Sequence, residues 1–407
     1  MEASKRIVSI GRAAELKRRI APCLEACERI PTGFALEKEY AKNRKRVLGE
    51  LGGTERDWKD WRWHMRNRIS EAETLGGILN LTEGERAAIE AVGAKYRWGV
   101  SPHYASLMDR DNAGCPIRMQ SLPVMEEVTD TDAALDPMSE ETSSPAPCVT
   151  RRYPDRLIIN LTNRCAMFCR HCQRKRNIGC VDEAKPRKDM RKALDYVRDN
   201  REIRDVLLTG GDPFTLQDEE LDWVLGELDG IRHVEIKRVG TRTLCTLPMR
   251  TTPKLAKMLG KHAPLYVNTH FNHPKEVTRD AARACELLSR EGIPLGNQSV
   301  LLKGVNDDPY VTKKLCQELL RMRVRPYYLY HCKNVPGAGK FRTPVAAGLR
   351  IISEMRGFTS GLAVPQFIIN APGGLGKVAL LPYGVARRKG GKLILRTWEG
   401  RFVDYSA

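Results

Sequence analysis

No stretch of this chain approaches the unbroken apolar length that a bilayer-crossing helix needs, so no membrane partner is expected. Nor does an apolar core follow the opening Met-Glu-Ala-Ser-Lys-Arg, so no secretory leader is read there. Aromatic residues make up only 6% of the chain and are not interleaved with its basic clusters, the last of which is Arg387-Arg388-Lys389. Despite a formal charge of +18, a nucleic-acid surface built on base stacking is therefore not expected. Positive charge has a second ordinary use, the binding of small anionic substrates and cofactors. Nine of the twelve cysteines lie scattered with no regular framework spacing, which argues against a disulfide scaffold and points to a reducing, cytoplasmic setting. Lysine and arginine are missing altogether from residues 126–150, where acidic residues, serine and proline dominate. Such a strip reads as a connecting segment. Its acidity would also suit a cover laid over a basic surface, a solvated linker being the simpler expectation.

With 407 residues, 42% of them hydrophobic, the chain is long enough for a catalytic domain and a smaller one. Residues 1–125 are expected to form a mainly helical N-terminal region or arm. Within it, Trp58, Trp61 and Trp63 are expected in core packing, and Thr82 with Glu85 forms a capping-box pattern. Residues 151–360 alternate short apolar runs with helical stretches. The strands are predicted at 157–161, 205–208, 233–239, 265–269, 295–301 and 326–330, and the helices near 187–198, 218–227, 253–260, 275–290, 310–321 and 345–356. Six βα units in sequence imply a parallel α/β barrel or open sheet whose chemistry lies at the strand ends. Residues 361–407 form a C-terminal segment with two further strands.

Just after the first predicted strand come Cys165, Cys169 and Cys172 in a C-x3-C-x2-C loop. Zinc would want a fourth ligand, and the local candidates are His171, crowded between two ligands, and the more distant Cys180. Three thiolates suit a [4Fe-4S] cluster with one iron left open. Far downstream, Pro372-Gly-Gly-Leu-Gly-Lys377 lacks the Gly-Lys-Ser/Thr ending of a phosphate-binding Walker loop. Its glycines allow close backbone approach, and its lysine is placed to form a Schiff base with an aldehyde cofactor.

The cysteine loop, together with Gly210-Gly211-Asp212 after the second strand, resembles the signature of radical S-adenosylmethionine enzymes. From about Trp58 to Phe402 the chain is similar to the lysine 2,3-aminomutase family, through Trp61-Arg-Trp-His-Met-Arg, Arg152-Tyr-Pro-Asp-Arg156, Asn268-Thr-His-Phe-Asn-His-Pro274, Phe341-Arg-Thr-Pro344 and the Lys377 loop. The resemblance implies a partial (β/α)6 barrel of the radical SAM type. It also implies a 2,3-amino shift on a pyridoxal 5'-phosphate aldimine, initiated by a 5'-deoxyadenosyl radical. Its cofactors would be the [4Fe-4S] cluster, S-adenosyl-L-methionine and pyridoxal 5'-phosphate. By matching positions, Lys377 would carry the pyridoxal aldehyde, and Arg152, Tyr153 and Arg156 would contact that cofactor. His171, Gly210, Gly211, Asp212, His270 and Gln298 would line the S-adenosylmethionine site, and Arg174 would hold the substrate α-carboxylate. An electron donor such as flavodoxin or ferredoxin and a homo-oligomer packed through the N-terminal arm are further implications.

Two positions depart from the family. Where the lysine enzymes place two aspartates around the distal ammonium of their substrate, this chain has Lys333 and Asn370. A lysine there repels an ammonium and welcomes a carboxylate, to which Asn370 can also donate. A pocket sized for lysine leaves room for glutamate, the longer acidic amino acid, which is the expected substrate. Lysine, aspartate or a neutral amino acid stay open as alternatives, as does a radical enzyme acting on tRNA or protein. The chain also stops without the C-terminal cysteines that bind zinc in some lysine enzymes, so no zinc is expected.

Overall fold

Among the described residues, seven parallel strands in sequential order carry the molecule, and each is reached from the last through a crossover. A computed structural model describes residues 2–130, 133–382, 385–389 and 392–406. Thr131 and Asp132 of the acidic strip, and the side chains of Arg388 and Lys389, lie outside the described residues. The main sheet contains β1 (Val149–Thr150), β2 (Arg156–Thr162), β3 (Asp205–Gly210), β4 (Ile236–Gly240), β5 (Leu265–Thr269), β6 (Leu295–Leu301), β7 (Val324–His331), β8 (Gln366–Asn370) and β9 (Lys377–Leu380). Strands β2 to β8 run parallel, while β1 and β9 add antiparallel edges. Parallel pairing demands a long return path, supplied here by helices such as Arg187–Asp199, Asp218–Asp229 and Pro309–Arg321. In Arg187–Asp199 the residues Met190, Ala193, Leu194 and Val197 recur at helical spacing and are the ones buried against the sheet.

The sheet rolls until its two edges nearly meet. A Cβ added to Gly374 would lie 3.1 Å from Arg152 Cδ, and one added to Gly376 would lie 3.5 Å from the Tyr153 hydroxyl. Both glycines have positive φ, 74° and 102°, which the tight passage into β9 requires. The result is the expected partial barrel, enlarged by one strand. The run ending at Asn370 hydrogen-bonds beside β7 and so joins the barrel sheet, where sequence placed it only in a C-terminal segment. The helix expected at 275–290 begins at Arg279, because Pro274–Glu276 makes a separate 3-10 turn and Thr278 caps the Ala281 N–H.

Residues before the barrel are largely helical, from Glu2–Glu28 through Glu83–Lys95 and beyond. Trp58, Trp61 and Trp63 are buried, and both halves of the Thr82/Glu85 capping box are made. The acidic strip is not a solvated linker. Glu127 is fully buried on Arg170 and Lys175, and Glu140 is buried on Arg174. Cations packed against the cysteine loop need counter-charges once they leave water, and the strip supplies them. At the other end of the chain, β10 (Val385–Lys389), β11 (Lys392–Arg396) and β12 (Phe402–Ser406) form an antiparallel sheet. Glu399, just before β12, pairs with Arg12 and Arg19 of the first helix. Among the described residues no disulfide forms, and no helix is long and apolar enough to cross a membrane.

Candidate active site

The C-terminal strand ends surround a cavity of about 310 Å³. Every site residue expected from sequence lines it: the three loop cysteines, Arg152, Tyr153, Arg156, His171, Arg174, Gly210, Gly211, Asp212, His270, Gln298, Lys333, Asn370 and Lys377. The cysteine loop leaves β2 and is braced by the turn after β3. Gly211 N–H donates to Thr162 O, and Asp212 N–H to Arg164 O at 2.6 Å. A side chain at Gly211 would strike the backbone of Asn163 and Arg164. That contact, more than the freedom of the turn, explains the glycine. The Asp212 carboxylate accepts from Thr241 Oγ1 at 2.7 Å, Arg242 N–H at 2.7 Å and Phe214 N–H at 3.1 Å. Its oxygens are thus engaged by the protein, and the turn offers a ligand mainly backbone.

Cys165, Cys169 and Cys172 face the cavity from one wall, while Cys180 is exposed and outside it. Burial raises the Cys165 and Cys172 thiols above their usual range, helped by Asp212 and Cys169 respectively. Among the described residues, no three side chains form a finished metal cage. Cys169 Sγ instead accepts from Arg242 Nη1 at 2.8 Å, and Cys172 Sγ from the Arg174 N–H at 3.4 Å. The donor set fits a cluster with three protein ligands, since no fourth thiol among the described residues lines the cavity. Beside it, His171 is held neutral by burial and by Arg242, and its Nδ1 is buried without a protein partner among the described residues. An orphaned nitrogen there fits a bound ligand. His270 is lowered to about 4 by burial and Arg242, and its Nδ1 lies 2.9 Å from Gln298 O.

On the opposite wall, Lys377 opens β9 as the register partner of Asn370 at the end of β8. Directly opposed residues share a sheet face, so the two side chains point the same way. The Lys377 ammonium lies 5.2 Å from the Tyr328 ring and 5.9 Å from the Tyr153 ring. Partial desolvation there, with Arg238, Arg156 and Arg152 nearby, lowers its pKa to about 8. A lysine so tuned condenses readily with an aldehyde. Arg156 stacks over Tyr153 at 4.0 Å, leaving a basic, aromatic corner suited to a phosphorylated pyridine. Lys333 follows β7, one strand away from Asn370, and burial with Arg152 and Arg174 lowers its pKa to about 7.

Residues 159–315 match the Radical SAM superfamily, and residues 352–407 match a C-terminal lysine-2,3-aminomutase family. The chain is 48% identical to glutamate 2,3-aminomutase of Clostridioides difficile, over 97% of this chain and 94% of that one. It is 46% identical to L-lysine 2,3-aminomutase of Clostridium subterminale, over 86% of this chain and 84% of the other. This chain belongs to the lysine 2,3-aminomutase family. It is a radical SAM aminomutase by that membership, and aminomutases of this family use a [4Fe-4S] cluster, S-adenosylmethionine and pyridoxal 5'-phosphate. The family motifs marked most of the cavity, yet three of its features escaped them. Arg242 on Cys169, Arg238 beside Lys377, and Glu140 on Arg174 all came from outside the motifs. For Arg242 a signal existed, since it lies just past the end of β4, where chemistry is expected in a parallel barrel, whereas Arg238 lies within that strand.

Proposed function

We propose that the chain interconverts L-glutamate and β-glutamate by a 2,3-amino shift. The observation that carries this reading is the pair Lys333 and Asn370, at the ends of neighbouring strands on the wall shared with Lys377. One cation and one amide are the donors a side-chain carboxylate needs, and they oppose a substrate ammonium. The 48% identity to a glutamate 2,3-aminomutase points the same way.

Cys165, Cys169 and Cys172 would hold the cluster. His171, Gly210, Gly211, His270 and Gln298 would line the S-adenosylmethionine site beside it, with Asp212 bracing the turn. Lys377 would bind the pyridoxal aldehyde, with Arg152, Tyr153 and Arg156 around that cofactor. When bound, the three groups supply a carbon-centred radical and a carbonyl that carries the migrating nitrogen. Arg174 grips the α-carboxylate, while Lys333 and Asn370 grip the far carboxylate, so the carbon chain is stretched between two fixed ends. The β-carbon is thereby presented to the radical source and the amino group to the Lys377 wall.

An electron donor such as flavodoxin or ferredoxin, a cytoplasmic setting and a homo-oligomer complete the proposal. Exposed Ile7, Val8, Ile10 and Leu24 on the first helix support the last of these. The test is anaerobic incubation of the reconstituted enzyme with glutamate, aspartate and lysine side by side. β-Glutamate as the main product is expected. Product from lysine or aspartate alone overturns the substrate assignment.

A further inference from the structure

Glu140 lies within the acidic strip, outside the family motifs, and packs against Arg174, which lines the cavity. Its carboxylate accepts from Arg174 Nε at 3.1 Å and from Arg174 Nη2 at 2.9 Å. Arg176 Nη2 lies 3.5 Å away and Arg152 Nη2 3.9 Å. The side chain is only 6% exposed. Burial alone would raise its pKa, but Arg174, Arg152 and Arg176 together hold it below the usual carboxylate value, so the group is ionised.

The geometry of the contact decides what it does. A guanidinium is planar and has two edges able to form paired hydrogen bonds. Glu140 takes the Nε/Nη2 edge, and Nη1 has no protein partner among the described residues while Arg174 lines the cavity. One edge is therefore fixed and the other is presented. We propose that Glu140 is the positioning residue of the substrate site, clamping Arg174 by its Nε/Nη2 edge so that the Nη1 side meets the substrate α-carboxylate. The inference rests on the reading of this site as one for a dicarboxylic amino acid.

Glu140 has a second consequence through charge. The groups facing Lys333 are Arg152, Arg174 and Lys377, which disfavour its proton, and Glu140, which favours it. Without Glu140 the ammonium that pairs with the far carboxylate would be lost at lower pH. A rival account makes Glu140 a stand-in for substrate, occupying the arginine until glutamate displaces it. The two accounts predict opposite changes in KM.

The experiment compares wild type and Glu140→Gln as full-length, reconstituted enzymes, with kcat and KM for glutamate measured from pH 6 to 9. Loss of a charge-assisted pair should raise KM about tenfold, with kcat changed less than about threefold. The alkaline fall in kcat/KM should move to lower pH. An unchanged KM, or a lower one as the rival account requires, overturns the proposal. If wild type does not turn over glutamate at all, the substrate reading fails first and is recognised before any variant is compared. Should Glu140→Gln not retain iron and pyridoxal phosphate, Glu140→Asp decides, since it keeps the charge but withdraws it by one methylene. A KM raised roughly threefold or more supports the clamp, and a wild-type KM overturns it.

Discussion

Replacing Lys333 and Asn370 together by aspartate should turn the far end of the cavity from a carboxylate site into an ammonium site. A unit charge pair at 4 Å is worth about 4 kcal/mol at an effective dielectric near 20. Lys333 is only half-buried and the cavity is open to solvent, so about half of that is the better figure. Reversing the charge removes the attraction and adds some repulsion, which gives a loss of about 3 kcal/mol, or roughly a hundredfold in kcat/KM for glutamate. Turnover of lysine should appear or rise in the same protein. The pH dependence adds a second signature. With Lys333 at about 7 in the free enzyme, only its protonated form pairs with a carboxylate. Glutamate binding should therefore take up a proton, and KM should climb as pH rises through 7. That climb should vanish in the double variant. The assay is anaerobic turnover with glutamate and lysine across pH 6 to 9, with β-amino products separated and counted. Glutamate turnover left unchanged in the double variant would refute the assignment of this pair.

The Lys377 amine, at about 8, becomes nucleophilic as pH rises through that value, so pyridoxal phosphate uptake should quicken up to about pH 9 and then level off. Lys377→Ala should lose the visible absorption of the bound aldehyde while keeping its iron, and loss of both would separate this lysine from the role given to it. Gly211→Ala should release the cysteine loop, because the new methyl meets the backbone of Asn163 and Arg164, and the readout is iron retained after anaerobic reconstitution. Glu127→Gln leaves buried Arg170 and Lys175 without their counter-charge, and should cost about 3 to 5 kcal/mol in a chemical unfolding titration. A loss under about 1 kcal/mol would show that water already reaches the pair.

What the sequence discloses depends on how far apart the interacting residues lie. The cysteine loop could be read because its three thiols fall within eight residues, and the barrel because each strand carries its own apolar run. Lys333 and Asn370 could be read as a pair only through the resemblance to a family, since nothing local says that they line the same wall. The place of β8 was missed because parallel pairing leaves no mark between neighbouring strands in sequence. The counter-charges were harder still. Glu140 reaches Arg174 across 34 positions, and Arg242 reaches Cys169 across 73, so no spacing rule links either pair. A compositional signal for Glu140 was nonetheless present. A segment with many acids and no lysine or arginine has no cations of its own, and the basic run Arg174-Lys175-Arg176 begins only 24 residues after its last residue, Thr150. Where two neighbouring stretches carry opposite charge and one includes metal ligands, the electrostatic cost of burying the basic stretch requires a mate nearby. The acidic strip is that mate, pairing Glu127 and Glu140 with buried arginines and placing Met138 and Thr150 on the cavity wall.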